Sequence, residues 1–219
     1  MNGFTLIYFM KFIILNGIGN LLNLFENYDN ELEYICKLKY GKELKFIDCS
    51  NKYSKEQKNN KYIFIKGNEI EDKYFANCSK ITKIIIANSI KFIGDYAIFN
   101  CSSLISILLP NNIESIGISS FNYCKSLTSI TLPNSIKSIN NLAFYNCSSL
   151  KKITLPNNIQ SIGYYVFVGC NSFTSITLSK KFEKQIFQII NKKNTKVVYT
   201  WFFIYNFIII IISKYNTLF

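Results

Sequence analysis

The chain has 219 residues, no histidine, seven cysteines and 25 basic against 13 acidic side chains, for a net charge of +12. Every basic residue is lysine, and arginine is absent. Without histidine there is no Ser-His or Cys-His pair. Without arginine there is no guanidinium fork to read phosphates or bases, so no nucleic-acid partner is expected. The charge is ascribed instead to a composition rich in Lys, Asn, Ile, Tyr and Phe throughout.

Residues 1–25 form an apolar N-terminal segment, in which only Lys11 breaks the run from Phe4 to Leu15. Gly17-Ile18-Gly19 offers small residues of the kind a signal peptidase favours, which makes a secretory signal one reading. No basic residue precedes the run, and an amphipathic helix over Phe12 to Phe25 is the other. Residues 26–61 carry charges of both signs. Leu32, Ile35 and Leu38, then Leu44, Phe46 and Ile47, are apolar enough for a helix or strands, and Asn51 to Lys61 reads as a polar loop. This region is expected to be an N-terminal cap or linker.

From Tyr62 a period sets in. Cys78, Cys101, Cys124, Cys147 and Cys170 are 23 residues apart every time. The copy that starts at Cys101 continues through Leu104, Ile107, Leu109, Pro110, Ile113, Ile116, Gly117 and Phe121. Its successors run Leu127, Ile130, Leu132, Pro133, Ile136, Ile139, Phe144 and then Leu150, Ile153, Leu155, Pro156, Ile159, Ile162, Gly163, Phe167. Tyr62 to Asn77 is a degenerate first copy, with Ile63 and Ile65 at the strand and Lys66-Gly67-Asn68 in place of the proline turn. In the next copy Ala87 takes the proline position and Ile98 the phenylalanine position. Phe173, Ile176 and Leu178 open a last strand.

A fixed period of this length means a solenoid, whose units bury their apolar faces only against one another. Ile130 and Leu132 are two apart and point to one side of a strand, with Ser129 and Thr131 on the other. Pro133, which has no N–H and a fixed φ, closes the strand. Asn134 and Ser135 turn the chain, Ile136 and Ile139 re-enter the core, and Ala143-Phe144 sits in a short helical or irregular turn.

These residues resemble those of the BspA-like (Treponema pallidum-type) leucine-rich repeats over about residues 62–178. The resemblance implies a curved leucine-rich repeat solenoid, mainly β, with a parallel sheet on its concave face and short helical turns on the convex side. It further implies a binding or adhesion role, often at a cell surface, and no enzyme activity.

The five-cysteine ladder has a repeat spacing and no Cys-x-x-Cys, so it is read as structural, with the thiols buried and mostly reduced; no metal or cofactor is expected. Cys36 and Cys49 lie outside the ladder and are a candidate pair in a secreted chain. Asn77, Asn100 and Asn146, each in Asn-Cys-Ser, match the glycosylation pattern, but Asn before the cysteine also suits a chain turn. Asp95 and Glu114, on variable positions, are read as solvated.

The candidate partner surface is the concave face. One outward row runs Lys83, Ser106, Ser129, Lys152 and Ser175. Its neighbour runs Ile85, Leu108, Thr131, Thr154 and Thr177, apolar at one end and hydroxyl at the other. Ile85 with Leu108 beside Lys83 is expected to form an apolar patch that anchors a partner.

Past the repeats, Phe182, Ile186, Phe187, Ile189 and Ile190 fit a helical stripe, and Val197-Val198-Tyr199 a closing strand. Residues 179–199 therefore read as a C-terminal cap with a flanking helix. Residues 200–213 are a candidate transmembrane segment, followed by a tail at 214–219. From Trp201 to Ile212 the run carries no charge, although it is short for a span. Lysines concentrate before it, which by the positive-inside tendency favours the cytoplasmic face of a membrane; the resemblance favours the cell surface. Taken together, the sequence predicts a membrane-anchored, surface-antigen-like or adhesin-like protein that binds a protein or glycan partner. The alternative is a divergent or truncated repeat-family member with a structural or intracellular scaffold role.

Overall fold

The computed structural model describes residues 29–48, 60–182, 196–200 and 212–213. Helix α1 (Asp29–Tyr40) leads through a 3-10 turn (Gly41–Glu43) into β1 (Leu44–Asp48). The repeats contribute β2 (Tyr62–Lys66), β3 (Glu69–Ile70), β4 (Lys83–Ile86), β5 (Phe92–Ile93), β6 (Ser106–Leu108), β7 (Ser115–Ile116), β8 (Ser138–Ile139), β9 (Lys152–Thr154), β10 (Ser161–Ile162) and β11 (Ser175–Ser179). β12 (Lys196–Thr200) and β13 (Ile212–Ser213) follow.

The longer strands stack in parallel as β1-β2-β4-β6 and β9-β11-β12. Ser129 bridges to Ser106 on one side and Lys152 on the other, which joins the two runs into one sheet. Each strand therefore repeats the register of the last, and the sheet extends past the repeats at both ends, through β1 and β12. The closing strand expected at Val197–Tyr199 is β12, parallel to β11. A second parallel sheet, β3-β5-β7-β8-β10, consists of two-residue strands in which Ile70, Ile93, Ile116, Ile139 and Ile162 point inward. The sequence places these isoleucines in the core but gives no sign of the sheet.

Between the sheets lies one continuous apolar column. All five ladder cysteines are buried thiols, none of them in a disulfide. Four of them donate their S–H to a carbonyl of the preceding coil: Cys101 to Phe75, Cys124 to Ile98, Cys147 to Phe121 and Cys170 to Phe144, at 3.1–3.2 Å. Phe121, Phe144 and Phe167 stack face to face, with centroids 5.1 and 5.8 Å apart. The stack stops at Ile98, which is fully buried in the phenylalanine position.

The third side of each coil is built of tight turns, and α-helix among the described residues is confined to α1. In these turns alternate amides serve two purposes. Those of Tyr96, Ile98 and Asn100 donate forward to the carbonyls of Ile118, Ser120 and Asn122 in the next coil. Those of Ala97, Phe99 and Cys101 close local turns onto Gly94, Tyr96 and Ile98. The pattern recurs coil by coil, so the backbone is satisfied without a helix. It needs a left-handed residue just before each cysteine: φ is 64° at Asn77, 53° at Asn100, 60° at Tyr123, 55° at Asn146 and 78° at Gly169. Asn and Gly tolerate that region best, which is why Asn recurs there, and Asn100 also donates its amide to Asn77 Oδ1 at 2.8 Å.

Asp95 is not simply solvated. Its Oδ1 accepts the Ile118 amide at 2.6 Å, as Asp72 Oδ1 accepts that of Asp95 at 2.6 Å and Asn141 Oδ1 that of Tyr164 at 2.8 Å. Glu114 pairs with Lys137 at 2.6 Å on the surface, one coil away. The lysine's hydrogen bond and charge hold the Glu114 carboxyl below the usual range.

Phe182 closes the core from a 3-10 turn (Lys180–Phe182). The rest of the proposed C-terminal stripe, the N-terminal segment, the Asn51–Lys61 loop except its last two residues, Cys49 and residues 201–211 lie outside the described residues. No helix among the described residues is long and apolar enough to cross a membrane.

The concave sheet as candidate binding surface

The strand register fixes which side chains share the concave face. Leu44, Tyr62, Lys83 and Ser106 align in one row, which the bridges at Ser129 carry on to Lys152, Ser175 and Lys196. Phe46, Phe64, Ile85 and Leu108 align in the next; Thr154, Thr177 and Val198 continue it. All of the row positions read from the 23-residue period except Thr131 are thus joined in register by strand or bridge pairing. The rows go on past Ile85 through Tyr62 and Phe64 of the degenerate first copy to Leu44 and Phe46 of β1, which lies before the repeats and which the period could not reveal.

That stretch is not open. α1 lies across it and builds a small second core from Cys36, Leu44, Phe64, Ile85 and Ala87, bordered by Tyr40, Phe46, Tyr62 and Leu108. The Tyr40 ring packs 5.0 Å from that of Tyr62, and the Lys83 ammonium sits 5.3 Å above the Tyr40 ring. Lys37 pairs with Glu33 along the helix at 2.7 Å and lies 4.7 Å from the Phe46 ring centroid. Ile85 is 1% exposed. The apolar patch expected at Ile85 and Leu108 is therefore the floor of an internal contact, with Ile85 sealed and Leu108 half-buried at its margin. The physical reason is general: an apolar sheet face in water is covered by whatever apolar segment the chain can supply. Here the segment is a one-sided helix joined to the sheet by three residues.

Burial also pushes the Cys36 thiol up to about 11, with nearby Lys83 and Lys39 opposing. A thiol so held is protonated near neutral pH and is no nucleophile.

Beyond Leu108 the face opens. Ser129, Thr131, Lys152 and Thr154 are exposed, and Ser175 and Thr177 half-buried. The apolar-to-hydroxyl change along the row thus coincides with the limit of α1. Chemically, the open half offers hydroxyl donors and acceptors and an ammonium on a rigid scaffold. Among the described residues it has neither an acid–base pair nor a thiolate. Among the described residues no group of three or more His, Cys, Asp or Glu is placed to hold a metal ion.

A family model described as the BspA type leucine rich repeat region matches this chain in six copies over residues 68–196. Among solved structures, a Treponema pallidum leucine-rich repeat protein superposes with a TM-score of 0.52 at 28% identity, over 53% of this chain and 57% of that one. A leucine-rich repeat protein from Bacteroides ovatus superposes with a TM-score of 0.56 at 24% identity, over 72% of this chain and 42% of that one. The second shows the fold alone. The chain thus spans little more than half of the first and less than half of the second. No curated protein matches it.

Proposed function

The chain belongs to the BspA type leucine-rich repeat family, and from that premise we propose that it is a non-enzymatic binding protein whose partner docks across the open half of its concave sheet. The observation that carries this reading is the division of the concave face. Its apolar half is occupied by the chain's own helix, while Ser129, Lys152 and Thr154 stay in register and, with Thr131, are exposed. Such a surface binds by shape and by repeated contacts along the stack, with no bond made or broken.

In this reading the chain is held at a membrane and displayed at the cell surface, like an antigen or adhesin. The charge-free run from Trp201 to Ile212 would supply the anchor by inserting and not by spanning, because Ile212 pairs with Tyr199 and brings the two ends of the run together, with Trp201 and Tyr205 suited to an interface. Six lysines between residues 180 and 196 argue for the opposite, cytoplasmic orientation.

Two experiments test the proposal. Capture of purified surface proteins and glycans by the folded chain should be lost in Thr131→Glu plus Thr154→Glu; unchanged capture by that variant, still folded, removes the concave sheet as the site. Protease treatment of intact cells carrying a tag in the loop at 51–59, combined with carbonate extraction, tests location. Cleavage of the tag on an extraction-resistant protein supports display, and a protected tag places the solenoid on the inner side.

A further inference from the structure

We propose that the open half of the concave sheet takes a linear polyanion: an acidic polysaccharide, bearing carboxylate or sulfate, laid across the strands. The inference rests on the concave-sheet reading above and adds the chemistry of the ligand.

The first observation is a step in charge. Residues 60–114 carry six lysines and five acids, Glu69, Glu71, Asp72, Asp95 and Glu114; residues 115–182 also carry six lysines, and no acid at all. The lysine supply is the same on both sides of the step. A general lysine bias therefore does not produce it; the acids have been withheld. Asp72 and Asp95 are, moreover, committed to backbone amides and Glu114 to Lys137.

The second observation is where the unbalanced charge sits. Lys151 and Lys152 are both exposed, and neither takes part in a salt bridge among the described residues. Lys152 stands in the outward row between Ser129 and Ser175, and the register puts Lys196 next after Ser175. The Lys152 ammonium thus stands between hydroxyls and beside that of Lys151, with no acid in the described coils from residue 115 to 182. Such a surface attracts and orients polyanions.

The third observation selects among polyanions. Among the described residues the open half offers Ser, Thr and Lys, with one half-buried apolar side chain, Val198, at its far end, because the larger apolar cluster lies under α1. A protein partner draws most of its affinity from buried aromatic or apolar anchors. A single-stranded nucleic acid draws on aromatic stacking platforms. Neither finds its main contact here. A polysaccharide needs hydrogen bonds and charge, both of which the face supplies. Neighbouring strands lie about 4.8 Å apart, close to the advance of an extended glycan per sugar, so one repeating polymer can meet one repeating surface in phase.

The test uses the full chain and four immobilised probes: polygalacturonate, heparin, neutral dextran and a single-stranded oligodeoxynucleotide. The informative variant is Lys151→Thr with Lys152→Ser. It installs residues found at the same positions of neighbouring coils, Thr128 with Ser129 and Thr174 with Ser175, so the fold has precedents for it. Lys137→Gln, matching Gln160 one coil on, is the control away from the face. The chain is expected to be retained on polygalacturonate or heparin at physiological salt and not on dextran. Which of the two retains it more strongly tells carboxylate from sulfate recognition. The double variant should bind at least about tenfold more weakly, and Lys137→Gln as the parent does. Absence of retention on both acidic polysaccharides, equal retention of the double variant, or oligonucleotide binding as tight as polysaccharide binding would each overturn the inference. If polysaccharide retention fails while capture of another partner is still lost in Thr131→Glu plus Thr154→Glu, the concave-sheet reading stands and only the polyanion is removed.

Discussion

The amide of Ile118 donates to the carboxylate of Asp95, one coil back, at 2.6 Å. The contact passes beside Gly117, where a Cβ would come within 2.7 Å of that same carboxylate oxygen and 2.6 Å of the Gly94 backbone. Gly94 and Gly163 stand in the same relation to Asp72 and Asn141. Asn140 occupies the glycine position of the one coil whose predecessor has Ile118 instead of an acceptor, and there its own amide donates to the Ile116 carbonyl at 3.1 Å. Glycine is thus required where an Asp or Asn side chain of the previous coil must reach across.

Asp95→Ala should accordingly cost about 1–3 kcal/mol, because it leaves a partly buried amide without its acceptor. Asp95→Asn, which keeps an oxygen as Asn141 does, should recover most of that loss. Urea unfolding of the two variants checks the order; equal loss in both would mean that charge, not the acceptor, is what matters.

Phe144 has a stacked phenylalanine on each face, Phe121 and Phe167. Truncation to alanine at the middle of the stack should cost about 3–5 kcal/mol. In a one-dimensional stack the loss should also split unfolding into two steps, read as a lowered urea slope.

Ile85→Glu places a carboxylate under α1 and should expel the helix. Trypsin should then cut at Lys37, Lys39 and Lys42 far faster than in the parent. Thr154→Glu, on the open part of the same row, should change stability by no more than about 0.5 kcal/mol and leave those sites protected. Equal cleavage of both variants would show that α1 does not seal the apolar half.

Burial raises the Cys124 thiol from 9.0 to about 12, while a hydrogen bond with Cys78 and burial raise that of Cys101, and burial and a hydrogen bond with Cys170 raise that of Cys147. A group whose folded pKa is raised stabilises the fold fully below its unfolded value and less as pH climbs towards the folded one. The thiol contribution is therefore complete up to about pH 9 and lost between about pH 9 and 12. Urea midpoints measured against pH should fall in that window, and alanine at Cys124 should make the fall shallower. Cys36, raised to about 11, should resist alkylation at neutral pH and react at once in denaturant.

The residues that repeat were legible because each states its environment several times over. The cysteines, the inward Ile and Leu pairs and the prolines that end strands declared a parallel solenoid, and the row from Lys83 to Ser175 declared its register. The second sheet was hidden because its strands are two residues long, too short to show alternation; they exist as strands only because the stack supplies their neighbours. The left-handed turn at Asn100 was half legible, since Asn suits both a turn and a glycosylation motif, and φ shows the turn without bearing on modification.

What the sequence by itself determined is the coil: a 23-residue unit with its core positions, its strand and its outward rows, because these are set by local alternation and repeated many times. What only the tertiary structure decided is which part of the concave face is free. Cys36 and Tyr40 meet Phe64, Ile85 and Tyr62 through a contact between a segment that does not repeat and a surface that does. No period records such a contact. It forms because the apolar half of the face and the apolar side of α1 each lose water-exposed surface by closing on the other, and that closure leaves the hydroxyl and lysine half as the open surface.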